Sequence, residues 1–280
     1  MTDEIRIGEF TFTTLLDGVF PCGPDLIPAA ASKEGEQIFQ DAGLPRIGPS
    51  PEPINAFALQ RGNRLWLIDA GCGRQLGPEF GKVPAALKAL GYEAEQVDAV
   101  ILTHLHEDHV GGLLTDDGSA AFPKARIIVG AEELAFWIDP TSPPKNPGEA
   151  QAKFDLAKAA LKPYGSSIET VPAGSFIEPG VRFVGLFGHS PGHCGISIEE
   201  SGQKLLMWGD IAHSSLLQLA YPRWSIGFDF DQAMATTTRE KLLAQLAEEE
   251  TLVAGSHVRG IGRIRRQRHG YALHPTDGQP

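Results

Sequence analysis

Six consecutive residues of the sequence contain three histidines and two acids. They lie in the stretch ILTHLHEDHVGG, residues 101–112, directly after an apolar run. Imidazole and carboxylate groups are the ligands that zinc and similar divalent ions prefer in proteins. The stretch offers more groups than one ion needs, because His104 and His106 can face one side and Asp108 and His109 another. The spacing therefore favours two metal ions over one.

Four other apolar segments also end in an acidic or coordinating residue. They are RLWLIDAG with Asp69, LFGHSPGH with His193, LLMWGD with Asp210 and TLVAGSH with His257. Strand ends are rigid, and a neighbouring glycine lets the backbone approach closely, so such residues can surround one point. Asp210 can bridge two ions through its two oxygens. Two ions about 3.5–4 Å apart can hold a bridging hydroxide and clamp the oxygens of a substrate.

The segments THLHEDHVGG, GHSPGH, WGD and AGSH resemble, in this order, the signature elements of the metallo-β-lactamase superfamily. Longer stretches, such as GDIAHSSLLQL and AFPKARIIV, resemble its methyl parathion hydrolase branch. The resemblance implies that one metal ion binds His104, His106 and His193. It implies that the other binds Asp108, His109 and His257, with Asp210 between the two.

Two further residues are expected close to these ligands. Asp69 matches an acid of the superfamily that orients a ligand histidine, and turn or cap chemistry before Gly71 is the alternative. His189 precedes His193 by four residues. It is either a donor to the ligands or a buried histidine with partners of its own.

The substrate pocket is predicted from fewer signals. Trp137 and Phe136, in LAFWID, resemble an aromatic pair that lines the leaving-group pocket in the hydrolase branch, and core packing of an amphipathic helix is the alternative. His213, three residues after Asp210, and Phe228, in IGFDFD, are further candidates.

Hydrophobic patterning predicts the elements that position these residues. EIRIGEFTFTTLLDG is predicted as one strand entering an Asp-Gly turn, and residues 21–53 as a long loop with a short helix near SKEGEQIFQDAG. Further strands are predicted in INAFALQ, RLWLIDAG, VDAVILTH, ARIIVG, VRFVGLFG, GISIEE, KLLMWGD and TLVAGSH. Helices are predicted in VPAALKALGY, AEELAFWID, EAQAKFDLAKAALKPYG and DQAMATTTREKLLAQLAEEE, with a Pro-rich break in PTSPPKNPG.

This order of elements predicts an α/β (α+β) fold in which two sheets pack face to face with helices outside. The resemblance names it as the four-layer αβ/βα sandwich, and residues 1–280 are expected to form a single domain. The family resemblance also implies a homodimer. The loop at residues 21–53 is a candidate for the dimer contact or for part of the pocket.

Composition limits the classes of partner. The 280 residues carry 24 basic and 35 acidic side chains, a net charge of −11, which argues against nucleic acid. The Arg259–Arg268 cluster is interpreted as a solvated or subunit-facing segment, with an anion site as the alternative. Three dispersed cysteines predict no disulfide framework. No export signal or membrane span is apparent, so a cytoplasmic location is expected.

Together these features predict a metal-dependent hydrolase of lactones, aryl esters or organophosphate triesters, acting by attack of a metal-bridging hydroxide. Asp108 or Asp210 would relay a proton to the leaving group. Zn²⁺ is the first expectation for both ions, with Mn²⁺, Fe²⁺ and Co²⁺ as alternatives. A glutathione thioester hydrolase, which would use a basic C-terminal groove, and an iron-dependent redox enzyme of the same fold are alternative functions.

Overall fold

Two mixed β-sheets form the centre of the computed structural model, which describes residues 3–74, 76–139, 141, 142 and 147–276. The first sheet has the order β1 (Glu4–Ile7), β2 (Phe10–Cys22), β3 (Ser50–Arg61), β4 (Arg64–Ile68), β5 (Ala99–Leu102), β6 (Arg126–Gly130) and β7 (Ile168–Val171). The second has the order β14 (Gly270–Pro275), β13 (Gly262–Gln267), β12 (Leu252–Ala254), β11 (Gln203–Met207), β10 (Cys194–Glu200), β9 (Val181–Gly185) and β8 (Phe176–Glu178).

The two sheets pack face to face through alternate residues of their strands. In the first sheet Phe12 and Phe57 stack with ring centres 4.8 Å apart, and in the second Phe183, Ile196 and Ile198 belong to the same buried cluster. Because side chains alternate across a strand, the intervening residues face the outer layers. Burial of each large apolar side chain contributes about 1.5–3 kcal/mol, which holds the two sheets together.

Helices cover the outer face of each sheet. Val83 of α2 (Val83–Ala89), Trp137 of α4 (Ala131–Ile138) and Phe154 of α5 (Pro147–Leu161) pack in the apolar cluster outside the first sheet. Leu242 and Leu246 of α6 (Gln232–Glu249) belong to the cluster outside the second sheet. The remaining helices are α1 (Lys33–Asp41) and the one-turn α3 (Glu107–Val110). This arrangement confirms the predicted four-layer sandwich.

Parallel pairing brings the ends of selected strands together. In the first sheet β4, β5, β6 and β7 are parallel neighbours, and in the second β11 is parallel to β12. Asp69 follows β4 and His104 follows β5, while Asp210 follows β11 and His257 follows β12. These four candidate site residues therefore lie beyond the carboxyl ends of parallel strands.

The predicted first strand differs from the structure in two ways. It is divided into β1 and β2, and Asp17 and Gly18 form no turn, since β2 continues past them to Cys22 with a bulge. Asp17 is fully buried, and its carboxylate accepts four backbone N–H groups, from Cys72, Gly81, Lys82 and Val83. The Asp-Gly prediction was wrong because this aspartate caps the start of α2.

The region at residues 21–53 is more ordered than a long loop. Its irregular part spans 23–49 and contains α1 and a short 3-10 helix at Pro28–Ala31. Ile27 and Phe39 of this region pack on Leu217 and Ile226. It therefore supports the segment that carries His213, while its own residues do not line the pocket described below.

Some predicted elements differ from the structure in their bounds, and some strands of the structure were not predicted. The helix predicted from residue 149 to Pro163 is α5, which begins at Pro147 and ends at Leu161, while β7, β8, β13 and β14 were not predicted. The arginine-rich segment forms the β13–β14 hairpin. Of the Pro-rich break, Pro140 and residues 143–146 lie outside the described residues. No helix of the described ranges is long and apolar enough to cross a membrane.

Candidate metal centre

Three imidazole nitrogens meet at one point near the end of β5. His104 Nε2, His106 Nδ1 and His189 Nε2 are separated by 2.9–3.1 Å. Ligand nitrogens of a tetrahedral zinc ion lie about 3.3 Å apart, because each zinc–nitrogen bond is about 2.0–2.1 Å long. Burial, together with neighbouring histidines, lowers the pKa of His104 and of His106 well below the usual value. Both imidazoles are therefore neutral at pH 7.

The hydrogen bonds around these rings assign their protons. His189 Nδ1 donates to the Asp229 carboxylate at 3.0 Å, which leaves a lone pair on Nε2. Thr103 Oγ1 donates to Asp69 and therefore accepts from His104 Nδ1, which leaves a lone pair on His104 Nε2. Two lone pairs facing each other at 3.1 Å repel unless a cation lies between them. The donor set fits a divalent ion.

A second donor group adjoins the first. It contains Asp108, His109, Asp210 and His257, whose ligand atoms all lie within 4.8 Å of one another. Asp210 Oδ2 occupies the centre, at 3.0–3.8 Å from one nitrogen of each of His104, His109, His189, His213 and His257. Its other oxygen, Oδ1, is buried and makes no hydrogen bond to a described residue. Asp210 can therefore serve both groups, as the sequence predicts.

In their neutral form, the histidines of the second group would also present lone pairs to the centre. His109 Nδ1 donates to Asp69 Oδ2 at 2.7 Å, and its buried Nε2 makes no hydrogen bond within the described part of the chain. His257 Nδ1 donates to the carbonyl of Pro53 at 3.0 Å, so that Nε2 faces Asp210 Oδ2. Asp69 thus lies where the sequence prediction puts it, against a histidine of the centre.

The carboxylates near the second donor group strongly affect the pKa values of its histidines. Burial lowers the pKa of His109, but the carboxylates of Asp210, Asp108 and Asp69 overcome it and raise that pKa well above its usual value. Burial likewise lowers the pKa of His257, and Asp210 and Asp108 raise it to about 10. In the metal-free protein, protons on these two rings supply the positive charge that the buried carboxylates require.

His193 does not belong to the triad of nitrogens. Its Nδ1 donates to the carbonyl of Leu186 at 2.8 Å, and its Nε2 accepts the backbone N–H of Asp210 at 3.0 Å. Both nitrogens are engaged, so no lone pair is left for a metal. The predicted ligand role of His193 is contradicted, and His189 occupies that position. His193 instead fixes the backbone at Asp210, and it packs so closely on Gly209 that a side chain there would clash.

Asp229 and Arg239 support His189 and were not predicted. The Arg239 guanidinium is buried and lies 3.9 Å from the second oxygen of Asp229. It also donates to the backbone carbonyls of Ile211, Pro222 and Trp224. Burial raises the pKa of Asp229, but the bond from His189 and nearby positive charge hold it below its usual value. Asp229 follows His189 by 40 residues, and no sequence spacing signals the contact.

The donor groups open into a pocket with a cavity volume of about 110 Å³. Its lining includes the predicted metal ligands His106, Asp108, Asp210 and His257 together with His189, Phe20, Ile54, Glu107, Lys153, His213 and Phe228. His213 stacks on His257 with ring centres 4.9 Å apart, and both of its ring nitrogens are buried without a hydrogen bond to a described residue. The structure therefore places His213 and Phe228 in the pocket, and adds Phe20, Ile54, Glu107 and Lys153.

The predicted aromatic pair is not part of this lining. Trp137 is buried, and its Nε1 donates to Glu133 at 2.6 Å while its ring touches the edge of His106. Phe136 packs on Phe154 and Phe230. The core-packing alternative holds for both residues, because the helix turns them toward α5 and away from the pocket.

The comparisons with known proteins agree with this fold. A family model described as the metallo-beta-lactamase superfamily matches residues 49–257. An N-acyl homoserine lactonase from Bacillus cereus is 26% identical over 204 residues, which cover 73% of this chain and 70% of that protein.

Two solved structures are similar over the whole chain. The hydrolase AbOPH, described as a beta lactamase superfamily member, is 31% identical with a TM-score of 0.93, covering 100% of this chain and 98% of its own. AidC, described as a dizinc quorum-quenching lactonase, shares the fold at 23% identity and a TM-score of 0.91, with the same coverage. The chain described here belongs to the metallo-β-lactamase superfamily.

Proposed function

We propose that this protein is a hydrolase that cleaves ester-type bonds, lactones foremost, at a centre of two divalent ions, with Zn²⁺ expected at both. The observation that carries the proposal is the pair of donor groups that share Asp210 at the base of a pocket. When bound there, two such ions supply an activated water as nucleophile and polarise the bond to be cleaved.

The residues of the chain shape the reaction around that centre. Phe20, Ile54 and Phe228 provide apolar walls that bind the apolar part of a substrate and exclude water. Asp69 and Asp229 hold His109 and His189 with their free nitrogens toward the centre. Asp108 and Asp210 both line the pocket, where the sequence predicts that one of them relays a proton.

The substrate class follows from pocket size and from the named relatives. The cavity of about 110 Å³ is smaller than the usual sites for drug-sized ligands, about 300–1,000 Å³, so only a small group or a short segment of a substrate can reach the donor groups. A relative at 26% identity is named as an N-acyl homoserine lactonase. Both observations support a small lactone over a polymeric substrate.

The arginine-rich hairpin gives no support to a glutathione thioester hydrolase. Arg265 and Arg266 pair with Glu250 and Glu248 at the end of α6, and Arg263 donates to the backbone carbonyl of Glu250. Two of these guanidinium groups have acidic partners and the third has a backbone carbonyl, and none of the three arginines lines the pocket. A basic groove that leads to the donor groups is therefore not formed by this hairpin.

The test is a panel of lactones, aryl esters and one phosphotriester, assayed with zinc-loaded and manganese-loaded protein. We expect lactone hydrolysis with about two bound ions per chain, and Asp210→Ala to lose both activity and metal. Asp25→Asn, at an exposed position that is not part of the pocket lining, is the control. A metal-loaded wild type that hydrolyses nothing on the panel contradicts the proposal, and a coloured iron centre that consumes oxygen supports the redox alternative.

A further inference from the structure

Lys153 extends across the mouth of the pocket. It lies on α5, and its Nζ is 3.2 Å from Glu107 Oε1, in the turn that carries the donor groups. The same nitrogen lies 5.9 Å from the ring centre of Phe228, on the opposite wall. The side chain of Lys153 is 37% exposed and that of Glu107 is 24% exposed. The ion pair therefore holds an ammonium group over the space where a substrate binds.

The pocket offers few proton donors apart from the two donor groups. In the part of the lining that the structure describes, the remaining residues are the apolar walls, His213, Glu107 and Lys153. His213 stacks against a histidine of the centre, whereas Lys153 pairs with Glu107, which belongs to neither donor group. The ammonium of Lys153 is thus a proton donor that lines the same pocket as the donor groups.

Ring opening of a lactone requires such a donor. The departing alkoxide is a strong base, because the pKa of its conjugate acid lies far above neutral pH, whereas a nitrophenolate leaves without a proton. A group that donates a proton to the leaving oxygen therefore accelerates the hydrolysis of esters with alkoxide leaving groups. It hardly affects the hydrolysis of nitrophenyl esters. Without it, the centre would favour aryl esters.

We propose that Lys153, rather than Asp108 or Asp210, is the general acid that protonates the leaving oxygen, so that the enzyme acts on esters with alkoxide leaving groups, such as lactones. This inference rests on the proposed hydrolase function. Hydroxide adds to the carbonyl carbon, the bond from that carbon to the ring oxygen breaks, and an N–H proton of Lys153 moves to the departing oxygen. The new carboxylic acid loses its proton and the neutral amine regains one through solvent, so ester and hydroxide give carboxylate and alcohol.

Glu107 positions this ammonium. Its Oε1 accepts from Lys153, while its Oε2 is buried and makes no hydrogen bond to a described residue. Glu107 lies between two donor residues, His106 and Asp108, so the ion pair ties the lysine to the backbone turn that carries them. We expect Glu107→Gln to weaken the lysine effect without abolishing it.

The experiment compares two substrates that share one acyl chain, a lactone and a 4-nitrophenyl ester. Lys153→Met should lower kcat for the lactone on the order of 10²-fold and for the aryl ester less than about threefold, with KM for both nearly unchanged. Lys153→Arg keeps the charge but donates its proton poorly, and should resemble Lys153→Met. Lys158→Met, an exposed lysine on the same helix, should leave both rates unchanged.

Metal content measured by mass spectrometry should equal that of wild type in Lys153→Met, which separates loss of the acid from loss of the centre. An equal fall in kcat for both substrates, or no fall for either, overturns the role of Lys153 while the hydrolase function stands. Full activity in Lys153→Arg would also overturn proton donation. Wild-type protein that hydrolyses neither substrate rejects the proposed function, and the inference falls with it.

Discussion

The imidazole of His193 accepts the backbone N–H of Asp210 at 3.0 Å, and so it holds the shared carboxylate in place without facing the donor groups. The imidazole of His189 faces them directly, at 2.9 Å from His106. Two histidines four residues apart thus have different parts in one centre. The difference can be measured by replacing each of them.

We predict that His189→Ala lowers the bound metal from about two ions to about one per chain, because a nitrogen of the triad is removed. His193→Gln should retain both ions, since the amide oxygen can accept the N–H of Asp210. Inductively coupled plasma mass spectrometry, after dialysis against metal-free buffer, measures the number of bound metal ions per chain. Loss of metal in His193→Gln together with full content in His189→Ala would show that the assignment is reversed.

This pair also shows what sequence patterning can establish. The strand ends that carry His104, Asp210 and His257 are predictable, because hydrophobic runs mark the strands and parallel neighbours end at the same edge. Which histidine of GHSPGH faces the centre is decided by contacts from other elements. Asp229 takes the Nδ1 proton of His189, and the carbonyl of Leu186 takes that of His193.

The pocket was less predictable for a related reason. Motif spacing reports residues that share one turn or strand end, whereas Phe20 and Lys153 come from distant parts of the chain. Trp137 and Phe136 match an aromatic pair by their sequence, yet α4 directs both into the core. The sequence of an amphipathic helix does not show which tertiary neighbours two adjacent residues will contact.

The support of His189 by Asp229 should appear in metal affinity. Asp229→Asn keeps an acceptor for His189 Nδ1 but removes the negative charge that makes the ring a better ligand. We expect the zinc dissociation constant to rise about 10- to 100-fold, as measured by competition with a chromophoric chelator. Asp25→Asn, on the exposed loop before α1, is the control for loss of one negative charge. An unchanged zinc affinity in Asp229→Asn would show that Asp229 does not support the metal centre through His189.

The aromatic residues should divide between binding and stability. Phe228 lines the pocket and is 39% exposed, whereas Trp137 is 3% exposed and bonded to Glu133. Phe228→Ala should raise KM for an apolar ester about tenfold through lost apolar contact. Trp137→Phe should leave KM unchanged and lower the free energy of unfolding by about 1 kcal/mol, through loss of the indole N–H bond. A raised KM for Trp137→Phe together with an unchanged KM for Phe228→Ala would mean that Trp137 contacts the substrate and Phe228 does not.

Glu133 joins the two loops that carry the histidine triad, and its burial makes stability depend on pH. Its carboxylate accepts from the backbone of Leu105 and Gly192, from Ser190 Oγ and from Trp137 Nε1. Burial raises the pKa of Glu133 above its usual 4.5, and these bonds offset only part of that effect. The protonated form is therefore the one that folding favours.

A raised pKa in the folded state gives a contribution that is fully present below about pH 4.5 and is lost as the pH rises through the folded pKa. Glu133→Gln removes the titration, so the stability of wild type relative to this variant should fall as the pH rises from about 4.5 to 8. Urea unfolding of both proteins, with a chelator present to exclude metal binding, measures this difference. A relative stability that is constant or increases over that range would mean that the carboxylate is held charged by its four donors, and that burial does not dominate at this position.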